Sequence, residues 1–265
     1  MAYTSYNVNA FVAEGCKGSP AAVAVLGEPL PDSRMLEIAA ENGVPETAFI
    51  LKRREGLNLR WFTPDLEMDL CGHATLASAH IAFTRLRQEM GENPSFDGNM
   101  LYFDTREGRI RVRNEGESRY TLNFPVREGK AAELPEAIYD SLSIKPDEVY
   151  LSRDYLLIYS DYKKIGQIEV CNRELFDTVD LGEGGVIVSA PGFGCYDFVS
   201  RFFTPKATIL EDPVTGSAHC TLVPYWSSRL HLKAMRALQM SENRGELYCR
   251  LDAGRVLITG MAEEF

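Results

Sequence analysis

The sequence predicts a mixed α and β protein built from two related halves, and two observations carry that prediction. The first is a repeat: residues 60–80 read RWFTPDLEMDLCGHATLASAH and residues 201–220 read RFFTPKATILEDPVTGSAHC. Each copy is an apolar Arg-Xaa-Phe-Thr-Pro strand, an acidic turn, then a small-residue cluster around glycine that opens a helix. The second is the alternation of strand and helix patterns along the chain, without a low-complexity tract or long linker. Two closely associated halves fit that pattern better than separate beads. If the halves face each other, two helix N-termini meet in one cleft. Their unpaired N–H groups and positive dipole ends suit a carboxylate or phosphate.

The elements follow in order. Residues 3–11 and 21–26 read as strands around the Gly- and Ser-containing loop 14–20. A helix is expected from about Ser33 to Asn42, with Asp32 or Ser33 as N-cap and Gly43 as terminator. Segments 47–51 and 57–62 are further strands. After Gly72, the spacing of Leu76, Ala79, His80, Phe83 and Leu86 predicts a buried helix ending at Gly91. Its small residues Ala74, Ala77, Ser78 and Ala79 imply close approach by neighbouring strands. Segments 100–105 and 109–113 pair as a hairpin. The polar stretch 114–118 is the expected boundary, giving halves of 1–116 and 117–265. Beyond it come strands at 120–124, 148–151, 155–159, 186–190 and 196–203, and a helix around 135–142. The second copy's helix is expected from near Gly216 to about Leu230, followed by strands 246–251 and 255–260.

Composition narrows the function. At 265 residues the chain accommodates two domains of roughly 100–150 residues. Hydrophobic content is 45% and charged content 25%, the balance of a globular protein. A net charge of -10, from 38 acidic and 28 basic residues, disfavours nucleic acid and anionic lipid as partners. An anionic substrate must then be held by local groups. The cysteines (16, 71, 171, 195, 220 and 249) form no CxxC pair, and free thiols in a reducing cytoplasm are expected. MAYTSYNVNAFVAEG lacks a secretory pattern, and the apolar run Ala21–Leu26 is far short of the ~20 residues of a membrane span. Cysteines and histidines do not fall at usual zinc spacings, so no metal is expected.

The two copies, together with GSPAAVAVL (18–26) and PETAFI (45–50), resemble the PhzF-like phenazine-biosynthesis family, within the wider diaminopimelate-epimerase-like fold. The segments look like that family's Gly-Asn-Pro-Ala-Ala-Val and Ser-Glu-Thr-Ala-Phe motifs. Ser19 and Pro45 depart from them, standing where the family has Asn and Ser, and residues 125–185 carry no recognisable motif. The resemblance implies an α+β fold of two pseudo-symmetric halves. Each would be an antiparallel sheet curved around a central helix, with the active site in the cleft between. It further implies a homodimer that uses no cofactor.

Candidate residues follow. A Glu beside a strand is, by itself, a solvated surface residue; the resemblance makes Glu46 the general acid/base. Placed next to apolar Ala48 and Phe49, it can take and return a proton near neutral pH. His73, at the start of the first central helix, reads as a helix-terminal hydrogen bonder whose neutral form the dipole prefers. Asp212 reads as a turn or capping residue before Pro213. The resemblance makes both of them partners of Glu46. Ser19, Gly72, Ala74, Thr75, Gly216 and Ser217 are expected to bind substrate, glycine allowing close backbone approach. Arg60 and Arg201 read as structural ion-pair partners. The racemases of this fold use two thiols, one at each helix start; here the first copy has Cys71 and the second has Thr215. A threonine hydroxyl is no base at neutral pH, so the expected reaction is one-sided. The expectation is an isomerase that moves a proton and a double bond on a small carboxylate. The alternatives are an amino-acid racemase or epimerase using Cys71, or a metabolite-binding module without turnover.

Overall fold

Strands β1 (Tyr3–Val12) and β2 (Ser19–Leu26) pair antiparallel, with Ala10 opposite Ser19 at the hairpin end. Gly18 makes that end possible: its φ is +74°, and a Cβ there would lie 2.2 Å from the Ala10 carbonyl oxygen. Only glycine fits. Helix α1 (Asp32–Asn42) crosses over to β3 (Glu46–Arg53), which runs parallel to β2. β4 (Gly56–Phe62) returns antiparallel and carries the short β5 (Glu67–Met68). The chain then enters α2 (Gly72–Ile81), continues through a π turn (Ala82–Leu86) into α3 (Arg87–Met90), and stops at Gly91 with φ +57°. After β6 (Phe96–Asp97), β7 (Met100–Thr105) joins β4 in parallel, and β8 (Gly108–Gly116) and β9 (Arg119–Pro125) extend the sheet antiparallel. All ten residues of α2 are buried, against β1, β2 and β3. The helix carries three alanines, a glycine and a serine, which let strand backbones approach it closely.

This computed structural model describes residues 3–265. Its first unit ends at Phe124 and takes back Leu257–Phe265, and its second is Pro125–Val256. In the first unit the chain's last strand pairs antiparallel with β1, as in Ala10 opposite Ala262, and also with β9, closing the sheet around α2.

The second unit contains β10 (Lys130–Ala131), α4 (Glu136–Ser141), β11 (Glu148–Leu151), β12 (Tyr155–Ile158), α5 (Tyr162–Gln167) and α6 (Arg173–Phe176). It continues with β13 (Val186–Pro191), β14 (Phe198–Phe203), α7 (His219–Leu230), β15 (Ala234–Gln239) and β16 (Gly245–Asp252), and leads into β17 (Arg255–Glu264). From β11 to β16 the pairings run antiparallel, parallel, antiparallel, parallel, antiparallel. The series β1-β2-β3-β4-β7-β8 has the same order of senses. The written repeat is therefore a repeat of topology. The Arg-Xaa-Phe-Thr-Pro segments are its clamps: Arg60 donates two 2.7 Å hydrogen bonds to Glu67, and Arg201 donates at 2.7 and 2.8 Å to Glu211. Each guanidinium lies over the phenylalanine two residues on, Phe62 or Phe203.

Several expectations are corrected. The sheets are mixed, because each helical crossover brings the next strand in parallel. The stretch 114–118 is the end of β8 and the two-residue turn into β9, with Glu117 and Ser118 at positive φ, and the chain passes into its second unit only after β9. Helix α1 has Pro31 at its N-cap with no side-chain cap bond, because Asp32 is drawn to Arg60 at 2.8 Å. Helix α7 starts at His219; residues 216–218 form a tighter lead-in turn, with His219 N–H donating to the Gly216 carbonyl. Strand β15 is an addition. No helix among the described residues is long and apolar enough to cross a membrane.

Candidate functional site

Glu46 is the first residue of β3 and sits opposite Ala21 of β2. It is only 8% exposed, although a carboxylate loses hydration there. Two residues before Ala21, Ser19 is fully buried, and its hydroxyl makes no hydrogen bond among the described residues. Cys71 precedes α2 in extended backbone and His73 lies in its first turn. His73 Nε2 is 2.9 Å from Glu46 Oε2, and His73 Nδ1 is 3.8 Å from Cys71 Sγ. Neither Nε2 nor Oε2 has an aligned hydrogen bond; they face each other as a buried ion pair. Gly72 and Ala74 complete the turn, and Thr75 donates its hydroxyl to the Cys71 carbonyl.

The electrostatics of this chain differ from the dipole argument alone. Burial works against a charged His73, but Cys71 and Glu46 outweigh it and hold its pKa well above the ordinary histidine value. Burial, reinforced by the Glu46 charge, pushes the Cys71 thiol up to about 11. A thiol raised that far is a poor base at neutral pH. The neutral imidazole expected from the helix N-terminus is opposed by Cys71 and by the Glu46 carboxyl at 2.9 Å, which favour the protonated ring. Glu46, Cys71 and His73 each bring a possible metal-ligand atom within 4.8 Å of the others. Sequence spacing could not show this, since the fold brings the distant Glu46 to the Cys71–His73 pair.

The second unit holds Asp212, Gly216 and Ser217 ahead of α7. Asp212 Oδ2 accepts the Thr215 hydroxyl at 2.6 Å, which is the turn role. Gln239, at the end of β15 and 1% exposed, fixes that turn. Its Oε1 accepts from Thr215 N–H at 2.7 Å, and its Nε2 donates to the Asp212 carbonyl at 2.8 Å. The Ser217 hydroxyl accepts from Arg153 Nη2 at 3.1 Å, and Arg153 is braced by fully buried Asp154. Gln239, Arg153 and Asp154 were not anticipated. By strand register Arg153 stands two residues before Tyr155, as Ser19 stands before Ala21. That equivalence lies in strand register and has no counterpart in the sequence of 125–185, which carries no recognisable motif.

His219 occupies the place of Thr75 and, like it, donates to the carbonyl four residues back, from Nδ1 to Thr215 at 3.0 Å. Burial pushes its pKa down to about 4. An unfolded histidine titrates near 6.5, so between those values the unfolded chain binds a proton that the native chain excludes. Stability is full above pH 6.5 and is lost as pH falls, by about 1.4 kcal/mol per unit and roughly 3 kcal/mol by pH 4. Urea midpoints measured across that window are expected to show this slope, and to flatten in His219→Asn. Equal slopes in the two proteins would remove His219 as the cause.

The repeat also shows what the second unit lacks. Val186 occupies the register position of Glu46, since it opens β13 opposite Tyr155 as Glu46 opens β3 opposite Ala21. Thr215 and Ser217 stand where the first copy has Cys71 and His73. Carboxyl, thiol and imidazole occur together in one copy only.

Residues 8–264 match the family described as Phenazine biosynthesis-like protein. An uncharacterized isomerase of Pseudomonas aeruginosa is 41% identical over 261 residues, covering 97% of this chain and 94% of that protein. A PhzF-family phenazine biosynthesis protein from Enterococcus faecalis has a crystal structure that superposes with a TM-score of 0.86. It is 40% identical over 100% of this chain and 97% of its own. A probable proline racemase from Agrobacterium radiobacter, 11% identical with a TM-score of 0.65 over 100% of this chain and 91% of its own, shares the fold. This chain belongs to the PhzF-like family of phenazine-biosynthesis-like proteins.

Proposed function

We propose that the protein is an isomerase that moves one proton, and with it a double bond, along a small unsaturated carboxylate, using Glu46 as its only acid/base. The observation that supports this reading is the asymmetry of the repeat: Glu46, Cys71 and His73 in one copy answer to Val186, Thr215 and Ser217 in the other. A single carboxyl can remove a proton from one carbon and return it to another, whereas inversion of a stereocentre needs a donor on the opposite face. In this reading Glu46 is the base and His73, 2.9 Å away, is its partner. As Glu46 takes the substrate proton, the imidazolium at 2.9 Å holds the carboxyl group in place for the return. The sequence is redox-neutral. Gly72 and Ala74, at the start of α2, present backbone N–H groups suited to an anionic substrate.

The racemase reading would assign Cys71 a thiolate role. A buried thiol pushed up to about 11 is a poor base at neutral pH, which weighs against it. Incubation of the protein with a panel of small β,γ-unsaturated carboxylates in deuterated water tests the proposal. The expected result is a displaced double bond, with deuterium at the new CH position to the extent that the Glu46 carboxyl exchanges with solvent before the return. Exchange with inversion at a stereocentre and no double-bond shift would favour the racemase instead.

A further inference from the structure

Imidazole nitrogen, thiolate sulfur and carboxylate oxygen form the mixed donor set that suits zinc and its neighbours rather than magnesium or calcium. Glu46, Cys71 and His73 supply that set, with all three ligand atoms within 4.8 Å of one another. Ligands around a tetrahedral zinc lie about 3–4 Å apart; His73 meets Glu46 through Nε2 at 2.9 Å and Cys71 through Nδ1 at 3.8 Å, so its ring must turn for the three donors to close on one ion. All three residues are buried, at 8%, 3% and 1% exposure respectively. Glu46 Oε2 and His73 Nε2 are both buried and face each other at 2.9 Å without an aligned hydrogen bond. No other cluster of three such side chains is present among the described residues.

We infer that Glu46, Cys71 and His73 form an inhibitory site for Zn²⁺, in which the ion takes the atoms that would otherwise handle the substrate proton. On binding, metal–sulfur, metal–nitrogen and metal–oxygen bonds form, and the Cys71 proton passes to solvent. The imidazolium proton leaves as well, and no electron is transferred. The fourth position stays open to water, the pattern of three-ligand zinc sites. A carboxylate engaged with the ion cannot accept a proton from carbon. The inhibition rests on the acid/base role of Glu46, whereas the binding does not.

Co²⁺ serves as the probe. Titration of the full chain under anaerobic, thiol-preserving conditions is expected to give visible bands of a four-coordinate ion and a near-ultraviolet sulfur-to-cobalt charge-transfer band. Both should saturate at one equivalent and be displaced by Zn²⁺. Cys71→Ala should lose the charge-transfer band although the exposed thiols of Cys171 and Cys195 remain. Glu46→Gln should keep that band but bind at least about tenfold more weakly. Thermal unfolding adds an independent readout, because a ligand of the native state raises Tm; Zn²⁺ should do so for the wild type and not for Cys71→Ala. An undiminished charge-transfer band in Cys71→Ala, or no band at millimolar cobalt, overturns the site. Loss of substrate deuterium exchange at one equivalent of Zn²⁺ supports the inhibition. Exchange that continues in fully loaded protein upholds the metal site and overturns the acid/base role of Glu46.

Discussion

Glu46→Gln is expected to lower substrate deuterium exchange by about 10²–10⁴-fold, the usual worth of a positioned acid/base, while the protein still folds. Glutamine preserves the volume at the start of β3 but cannot carry the proton. The change also removes the charge that favours the His73 imidazolium, so His73, 1% exposed, should revert to the neutral form that burial prefers. That reversion limits the stability cost, since no lone buried charge is left behind. Exchange followed by NMR on a responsive carboxylate, beside a urea unfolding curve, separates the two effects. Full exchange in a normally folded variant would falsify the assignment of Glu46.

Asp154→Ala should be the most damaging of the stability variants considered, at about 3–5 kcal/mol. Asp154 is fully buried, accepts from Arg153 at 3.1 Å, and takes the Gly185 N–H at 3.0 Å. Alanine would strand both donors: a guanidinium whose side chain is only 15% exposed and a backbone amide at the entry to β13. Asp154→Asn keeps an acceptor for Gly185 and should cost less than half as much. Urea unfolding of the two variants, read as midpoint changes at constant slope, checks the difference. Equal losses would mean that the charge matters and the backbone bond does not. Arg153 also holds Ser217, so Asp154→Ala should loosen the lead into α7 as well as the strand.

The repeat was legible because it is carried by residues with strong local demands. Arg60 and Arg201 need carboxylate partners, and the small residues of 72–79 suit a helix enclosed by strands on all sides. The mixed strand senses followed less directly, since a helical crossover fixes them and no residue pattern does. β15 escaped notice because Ala234, Met235, Leu238 and Gln239 are all good helix formers and none is β-branched. Its state is decided by β14 on one side and β16 on the other. With β15 unread, Gln239 could not be linked to the Asp212–Thr215 turn. Glu46 was named from its motif, but its neighbours Cys71 and His73 were read separately. Nothing in a linear sequence states that a strand start and a helix start lie 2.9 Å apart. That proximity favours a protonated His73, whereas sequence reasoning chose the neutral ring.

The return of residues 257–265 to the first unit ties the completion of that unit to prior synthesis of the whole of the second. On the ribosome, β1 and β9 emerge early but lack the strand that lies between them until the whole intervening lobe has been made. Until then their edges are open templates for pairing with other nascent chains. Such long-range closure slows folding relative to a lobe built from local contacts. Glu46 thus belongs to the unit that begins before the other and is completed only after it.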